Sequence, residues 1–276
     1  MSRNGKLFCD INPTCYAISI QKERCKRHIK NMVSSEKFAK TIKDEKLPNL
    51  VSDHHNGLIK RAKGIDLTLQ YNKAENIEIA CKTMNGLVIH PGEVFSFWQR
   101  VGKISKRKGY KDGRILIRNK LTKGMGGGLC NLANTIHLLF LHSPLEVTEF
   151  HQHSDALAPD EGKRVPFSSG TSVVYNYIDY RVKNTTDQDV QLCLWCEDEK
   201  LFGELRSERE FPFSFGLEEE NHHFKKQGEK FYRNSKIYKI TTDKATGEVL
   251  DKKLVLDNHS EVMFDYDMIP KELIRE

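Results

Sequence analysis

A cluster of glycines that leads directly into an apolar, helix-like pattern is the feature that most constrains how this chain folds. Four of the five residues from 124 to 128 are glycine. Glycine tolerates positive φ angles and close backbone contacts that other residues do not. The following residues up to Ser143-Pro144 show apolar side chains at helical spacing: Leu129, Leu132, Ala133, Ile136 and Phe140. This predicts a flexible turn that passes into an amphipathic helix near Cys130.

Cys130 lies at the junction between this turn and the helix. A thiol at a helix start meets unpaired backbone N–H groups and the positive end of the helix dipole, and both favour the nucleophilic thiolate. The alternative is an ordinary packing role, because most cysteines are small buried apolar residues. On a helical wheel Cys130 lies at the edge of the apolar stripe, not at its centre. The pattern therefore leaves a nucleophile and a packing residue as alternatives.

Composition and charge narrow the class of protein. The chain has 276 residues, of which 38% are hydrophobic and 30% charged, enough for one large domain or two small ones. Its net charge of +6 suggests affinity for anionic surfaces or substrates. No helix-turn-helix, zinc-finger or aromatic RNA-binding pattern is present, so no nucleic-acid partner is predicted. No apolar leader or transmembrane span is visible, and the seven cysteines lack a framework spacing. These features predict a cytoplasmic chain with reduced thiols and no cofactor.

The order of patterns predicts an α+β fold with a mainly antiparallel sheet on which the Cys130 helix packs. Residues 1–50 form a basic, helical segment, whose charged run is either a solvated face or a partner-binding arm. Residues 51–204 form the core domain, with a helix over 76–85 and a hairpin made of residues 172–183 and 190–196. Residues 205–276 form a small β-rich extension of short charged strands.

Two histidines follow the helix on a predicted strand. Alternation along residues 146–154 directs His151 and His153 to one face, and Asp179 lies on the next predicted strand. A cysteine followed along the chain by histidine and then by a carboxylate predicts three roles. His151 or His153 removes the thiol proton of Cys130, and Asp179 orients the imidazole. The oxyanion is bound by the Cys130 N–H, together with a glycine N–H from Gly126, Gly127 or Gly128. This predicts cysteine-based acyl transfer or hydrolysis.

Two other interpretations remain open. Cys130, His151 and His153 could form a zinc site with two nitrogen ligands, one sulfur ligand and an open fourth position. No further ligand lies at a suitable spacing, so catalysis is preferred over metal binding. Between Arg100 and Lys123, ten basic residues stand against one acidic residue. This run is either a solvated hairpin face or a guide that brings a carboxylate- or phosphate-bearing substrate to Cys130. The non-catalytic alternative is a protein that binds a peptide or precursor in the same groove, where Asn131 lies at the site and Arg114, Arg118 and Lys123 hold the carboxylates.

Five segments carry a resemblance to a known family: Val88–Trp98, Gly109–Asp112, Gly126–Cys130, Glu149–Ser154 and Asp179–Asn184. With these segments the chain resembles the VanW family from about Leu47 to Gly203. The resemblance implies a bacterial cell-envelope or glycopeptide-resistance context, and a cell-wall peptide or precursor as the partner. It also implies a domain similar to L,D-transpeptidases, with Cys130 as nucleophile and His151 and His153 as candidate bases. The chain departs from the family pattern at Asn131 and at Gly170.

Overall fold

The structure is a computed structural model that describes residues 7–61, 64–117, 120–160, 164–167 and 169–275. Arg118, which the sequence predicts as a carboxylate-binding residue, lies outside the described residues. In the described part of the chain, no helix has the length and apolar character needed to cross a bilayer.

Side chains cap the starts of all the α-helices in the described residues except the one that carries Cys130. In the described residues they are α1 (Pro13–Val33), α2 (Leu67–Cys81), α3 (Phe97–Val101) and α4 (Leu129–Leu141). The Asn12 side chain accepts a hydrogen bond from the Cys15 N–H at the start of α1, and Pro13 follows it at the first helical position. Asp66 caps α2 in the same way. Because of this cap, α2 begins well before the segment 76–85 that the sequence predicts.

The strands of the described residues are β1 (Asn49–Gly57), β2 (Leu87–Ile89), β3 (Val94–Ser96), β4 (Asp112–Ile117), β5 (Lys120–Met125), β6 (Glu146–Glu149), β7 (Arg181–Lys183), β8 (Val190–Glu197), β9 (Lys200–Ser207), β10 (Phe213–Gln227), β11 (Lys230–Asp243), β12 (Val249–Glu261) and β13 (Ile274–Arg275). They form four sheets, in the orders β1-β9-β8-β2, β3-β7-β6, β4-β5 and β12-β11-β10-β13. The strand pairs are antiparallel except β10 with β13. The predicted α+β class with mainly antiparallel sheets is confirmed.

Two predicted strands are shorter than the sequence indicates. β7 covers only Arg181–Lys183 and pairs with β3 and β6, so the predicted hairpin between residues 172–183 and β8 is wrong. The chain before β7 folds back on itself in a turn that contains Asn176 at φ 50°, and this turn interrupts the extended pattern. The strand predicted over 146–154 ends at Glu149, after a bulge that begins at Val147.

The α4 helix is buried on nearly all sides. Leu132, Ile136 and Phe140 pack into the main core with α2 and the first sheet. On the other side, Leu138 and Leu141 pack with Ile237 of β11 in a second apolar cluster. The sequence predicts an amphipathic helix with one apolar face, whereas the sheet of β10–β13 covers the second face. The buried polar side chains of α4, which are Asn134, Thr135 and His137, are compensated by hydrogen bonds.

The N-terminal helix α1 docks on the core through polar contacts and has no buried residue. The Arg27 guanidinium makes a bidentate pair with the Glu149 carboxylate, with N–O distances of 2.6 and 2.5 Å. Arg24 donates to the Tyr175 carbonyl oxygen at 3.2 Å. The Asn31 side chain accepts from Arg181 of β7 at 2.6 Å. One face of α1 is thereby fixed against the region around β6 and β7.

Candidate functional site

The glycine loop before α4 has the backbone geometry that the sequence predicts. Gly126 has φ +76° and Gly128 has φ +105°, a region that favours glycine. A Cβ atom at Gly127 would lie 2.3 Å from the carbonyl carbon of Gly113 in β4. Glycine is therefore required here because two backbone segments are in direct contact.

The side chain of Asn76 on α2 holds this loop in place. Its Nδ2 donates to the carbonyl oxygens of Gly127 at 2.9 Å and of Lys111 at 3.0 Å, and its Oδ1 accepts from the Lys111 N–H at 2.8 Å. Asn76 is fully buried. Sequence reasoning missed this residue, and the signal that could have found it is a polar side chain on the apolar face of α2.

Cys130 lies in the first turn of α4, as predicted, but its environment does not favour the thiolate. The Sγ–H group donates to the Val173 carbonyl oxygen at 3.7 Å. Burial raises the pKa of the Cys130 thiol above its ordinary value, against the lowering that a helix start alone predicts. The sulfur is therefore a protonated thiol at neutral pH, directed toward a carbonyl acceptor.

The two histidines occupy different environments after the end of β6. The His151 Nε2 lies 3.0 Å from the Glu149 carboxylate, and the ring is exposed. The His153 Nδ1 is 2.8 Å from the Ser154 carbonyl oxygen, and burial lowers the pKa of His153, which keeps the ring neutral. Because the strand ends at Glu149, regular alternation does not set the directions of these two rings. Within the described residues, neither imidazole forms a hydrogen bond with Cys130.

Asp179 is part of a buried structural network. Its carboxylate accepts from the Ser96 hydroxyl at 2.6 Å, the Trp98 N–H at 3.0 Å and the Arg181 Nε at 2.9 Å. These contacts join the start of α3 to β7. Asp179 and Arg181 are both almost fully buried, so their pairing compensates two charges that would be costly alone. No histidine in the part of the chain that the structure describes forms a hydrogen bond with Asp179.

Cationic side chains gather around the amino terminus of α4. Lys73 of α2 packs over Gly128, where its Cγ would lie 2.4 Å from a Cβ atom. Burial, together with the charges of Lys60 and Arg114, lowers the pKa of Lys73 to about 8. The backbone N of Arg114 also lies next to Gly127, whereas the Lys123 ammonium lies 3.6 Å from Asp66. Lys73 itself was missed by sequence reasoning.

Asn131 adds an unpaired acceptor to the same helix terminus. Its backbone N–H donates to the Gly128 carbonyl oxygen at 2.9 Å. The Oδ1 atom of its side chain is buried and has no hydrogen-bond partner among the described residues. A buried acceptor without a partner carries a cost, which a ligand N–H group would remove.

The zinc alternative gains no support from the geometry. In the ranges that the structure describes, no three His, Cys, Asp or Glu side chains are close enough to hold a metal ion together. The trio Cys130, His151 and His153 is therefore not assembled as a ligand set. The cations Lys73 and Arg114 and the free amide oxygen of Asn131 suit an organic ligand that carries a carboxylate and an amide N–H.

Comparison with known proteins covers this region. Residues 72–206 match the family described as VanW like protein. The chain is 30% identical over 227 residues to the vancomycin B-type resistance protein VanW of Enterococcus faecalis, and the match covers 82% of each protein. It is 28% identical over 119 residues to the uncharacterized protein YoaR of Bacillus subtilis, which covers 43% of this chain and 38% of that relative. No solved structure shows significant similarity to the chain.

Proposed function

Because the chain belongs to the VanW family, we propose that it serves glycopeptide resistance as an accessory protein that binds a cell-wall peptide or its precursor. The similarity to a vancomycin B-type resistance protein over most of both chains supports the context. The binding site in this proposal is the amino terminus of α4 with the glycine loop and the side chains around it.

The observation that carries the proposal is the buried Oδ1 of Asn131, which has no partner among the described residues. A peptide N–H group would satisfy this oxygen once the Asn131 side chain rotates toward the ligand. Burial, and then the charges of Lys60 and Arg114, lower the pKa of Lys73, and a ligand carboxylate beside the ammonium would stabilise its charged form. A peptide with a free carboxylate offers both groups.

Acyl transfer by Cys130 is the second candidate, because the family resemblance and the position of Cys130 in the first turn of α4 favour it. For this reaction the thiol must lose its proton to His151 or His153, and Asp179 must orient that imidazole. The raised pKa of Cys130 and the engagement of Asp179 with Ser96 and Trp98 favour the binding role.

The test is calorimetric titration of the full chain with a synthetic cell-wall stem peptide and with the same peptide amidated at its carboxyl terminus. The free acid is expected to bind, and the amidated form to bind roughly tenfold more weakly, since a charge-assisted contact is lost. Asn131→Ala is expected to weaken binding of the acid about threefold to tenfold. Lys73→Met is expected to weaken binding of the acid, but not of the amide.

Lys40→Met serves as the control, because Lys40 is exposed and lies outside the site. Equal binding of acid and amide would contradict the role of Lys73 and Arg114. Release of the terminal residue from the peptide, lost in Cys130→Ala, would instead favour acyl transfer.

A further inference from the structure

The face of α1 that points away from the core is apolar. Ile18, Ile29 and Met32 have exposed fractions of 53%, 56% and 76%. At about 100° per residue, Ile18 and Ile29 lie within roughly 20° of each other on the helix. Arg27, which binds the core, lies on the opposite side at roughly 180° from Ile18. The helix therefore has an anchored polar face and an apolar stripe, here called the free stripe, composed of Ile18, Cys25, Ile29 and Met32.

A row of lysines runs beside the free stripe. Lys22, Lys26 and Lys30 are spaced four residues apart, so they line one flank of the helix. Lys26 pairs with Glu23 at 2.9 Å, but both side chains are largely exposed and such pairs are weak. The lysine row is thus roughly 12 Å long and lies beside an apolar stripe of roughly 21 Å.

We propose that the free stripe of α1 binds the surface of an anionic lipid bilayer, with the lysine row against the lipid phosphates. A helix of this kind lies in the membrane interface, where apolar side chains enter the headgroup boundary and lysine stems extend toward the phosphates. Charge complementarity selects anionic over zwitterionic lipid. Since the helix is already docked through Arg24, Arg27 and Asn31, binding requires no coil-to-helix transition.

A second copy of the chain fits the stripe less well. Ile18, Cys25 and Met32 repeat every seven residues, as in one row of a coiled coil. A coiled coil needs a second apolar row, either three residues on, where Gln21 and His28 stand, or four residues on, where Lys22 interrupts the row of Ile29. Membrane binding is also independent of the peptide ligand proposed above, because it uses different residues.

The test is co-sedimentation of the full chain with vesicles of phosphatidylglycerol and, separately, of phosphatidylcholine. The chain is expected to sediment with the anionic vesicles and to remain in solution with the zwitterionic ones. The double variant Ile18→Asp/Ile29→Asp is expected to lower the partition coefficient roughly tenfold or more, because two apolar side chains no longer enter the interface. Lys22→Glu/Lys30→Glu is expected to weaken binding to anionic vesicles.

The matched control is Leu250→Asp/Val249→Asp on β12, since these residues are exposed to 51% and 57%. The control is expected to bind like the unchanged chain, and circular dichroism verifies that both double variants stay folded. Failure to bind phosphatidylglycerol vesicles, or an equal loss in the control, would overturn the proposal. The proposal would also be overturned if light scattering showed a dimer that Ile18→Asp/Ile29→Asp abolishes and the unchanged chain did not bind vesicles.

Discussion

The side-chain amide of Asn76 donates to the carbonyl oxygen of Gly127 at 2.9 Å. This bond links α2 to the glycine loop that precedes α4. Because Gly127 also contacts the backbone of Gly113, the loop is held between a helix and a strand. The amino terminus of α4 is thus fixed by a buried polar group and not only by apolar packing.

Asn76→Ala is expected to destabilise the fold by about 2–4 kcal/mol. The substitution removes three hydrogen bonds and leaves buried backbone groups of Lys111 and Gly127 without partners. Urea denaturation measures the change. Asn72→Ala on the same helix is the control: Asn72 makes one exposed bond to the Asp112 carbonyl oxygen, and its loss is expected to cost less than about 1 kcal/mol. Equal losses would contradict a special role for Asn76.

Cys130 is expected to react slowly with iodoacetamide at neutral pH, since burial raises the pKa of its thiol. Cys25 is exposed and provides the internal reference within the same chain. Peptide mapping after timed alkylation at several pH values gives both rates. Faster alkylation of Cys130 than of Cys25 at pH 7 would show an activated thiolate and would support the acyl-transfer candidate.

Cys196 is expected to form a disulfide with Cys81 when the chain is treated with oxidised glutathione. The two thiols are in hydrogen-bonding contact, which lowers the pKa of Cys196 and raises that of Cys81. Each protein thiol loses a hydrogen atom, and one glutathione disulfide is reduced to two thiols. Intact mass and thiol titration detect the product. Cys196→Ser is expected to prevent it, while Cys193→Ser is not; a Cys193–Cys196 disulfide would refute the pairing.

Binding of a free-acid peptide is expected to weaken as the pH rises from about 7 to 9. The pKa of Lys73 is lowered to about 8, so the ammonium that attracts the carboxylate is lost within this range. Calorimetric titration at several pH values measures the change in Kd. In Lys73→Met this pH dependence is expected to disappear. A Kd that is constant up to pH 9 would argue against Lys73 as the carboxylate partner.

Acid is expected to destabilise the fold through His137. Burial lowers its pKa to about 3, and the ring stacks on Phe150 at 4.5 Å and bonds the Tyr180 hydroxyl. The unfolded histidine titrates at about 6.5, so between pH 6.5 and 3 the unfolded state binds an extra proton. Stability therefore falls by roughly 1.4 kcal/mol per pH unit as pH drops through this window. His137→Gln is expected to reduce that slope in urea denaturation, and His28→Gln on the exposed side of α1 leaves it unchanged.

The sequence predicted the features that depend on local patterns. The glycine turn, the start of α4 near Cys130 and the strand β8 follow from backbone freedom and side-chain periodicity. The hairpin of β4 and β5 agrees with one of the two interpretations of the basic run. The second buried face of α4 did not follow, because it depends on contact with Ile237 more than ninety residues later. Local sequence patterns do not predict such a long-range contact.

The candidate site was predicted in part for a similar reason. The cysteine and the histidines were identified by residue type, but type alone does not give hydrogen-bond partners. Asp179 was assigned to an imidazole, whereas its carboxylate binds Ser96 and Trp98, which are more than eighty residues earlier. Lys73 was missed because a lysine on a helix usually faces solvent, and here the absence of a side chain at Gly128 leaves it room.

The burial of α4 between two apolar clusters has a consequence for recognition. A helix that packs against apolar side chains on both sides cannot slide or rotate without exposing one of the two clusters to water. Its backbone consequently keeps one arrangement before any partner arrives, and little backbone freedom is lost on association. Discrimination between partners at this terminus will therefore depend on shape and charge, and hardly at all on movement of the helix.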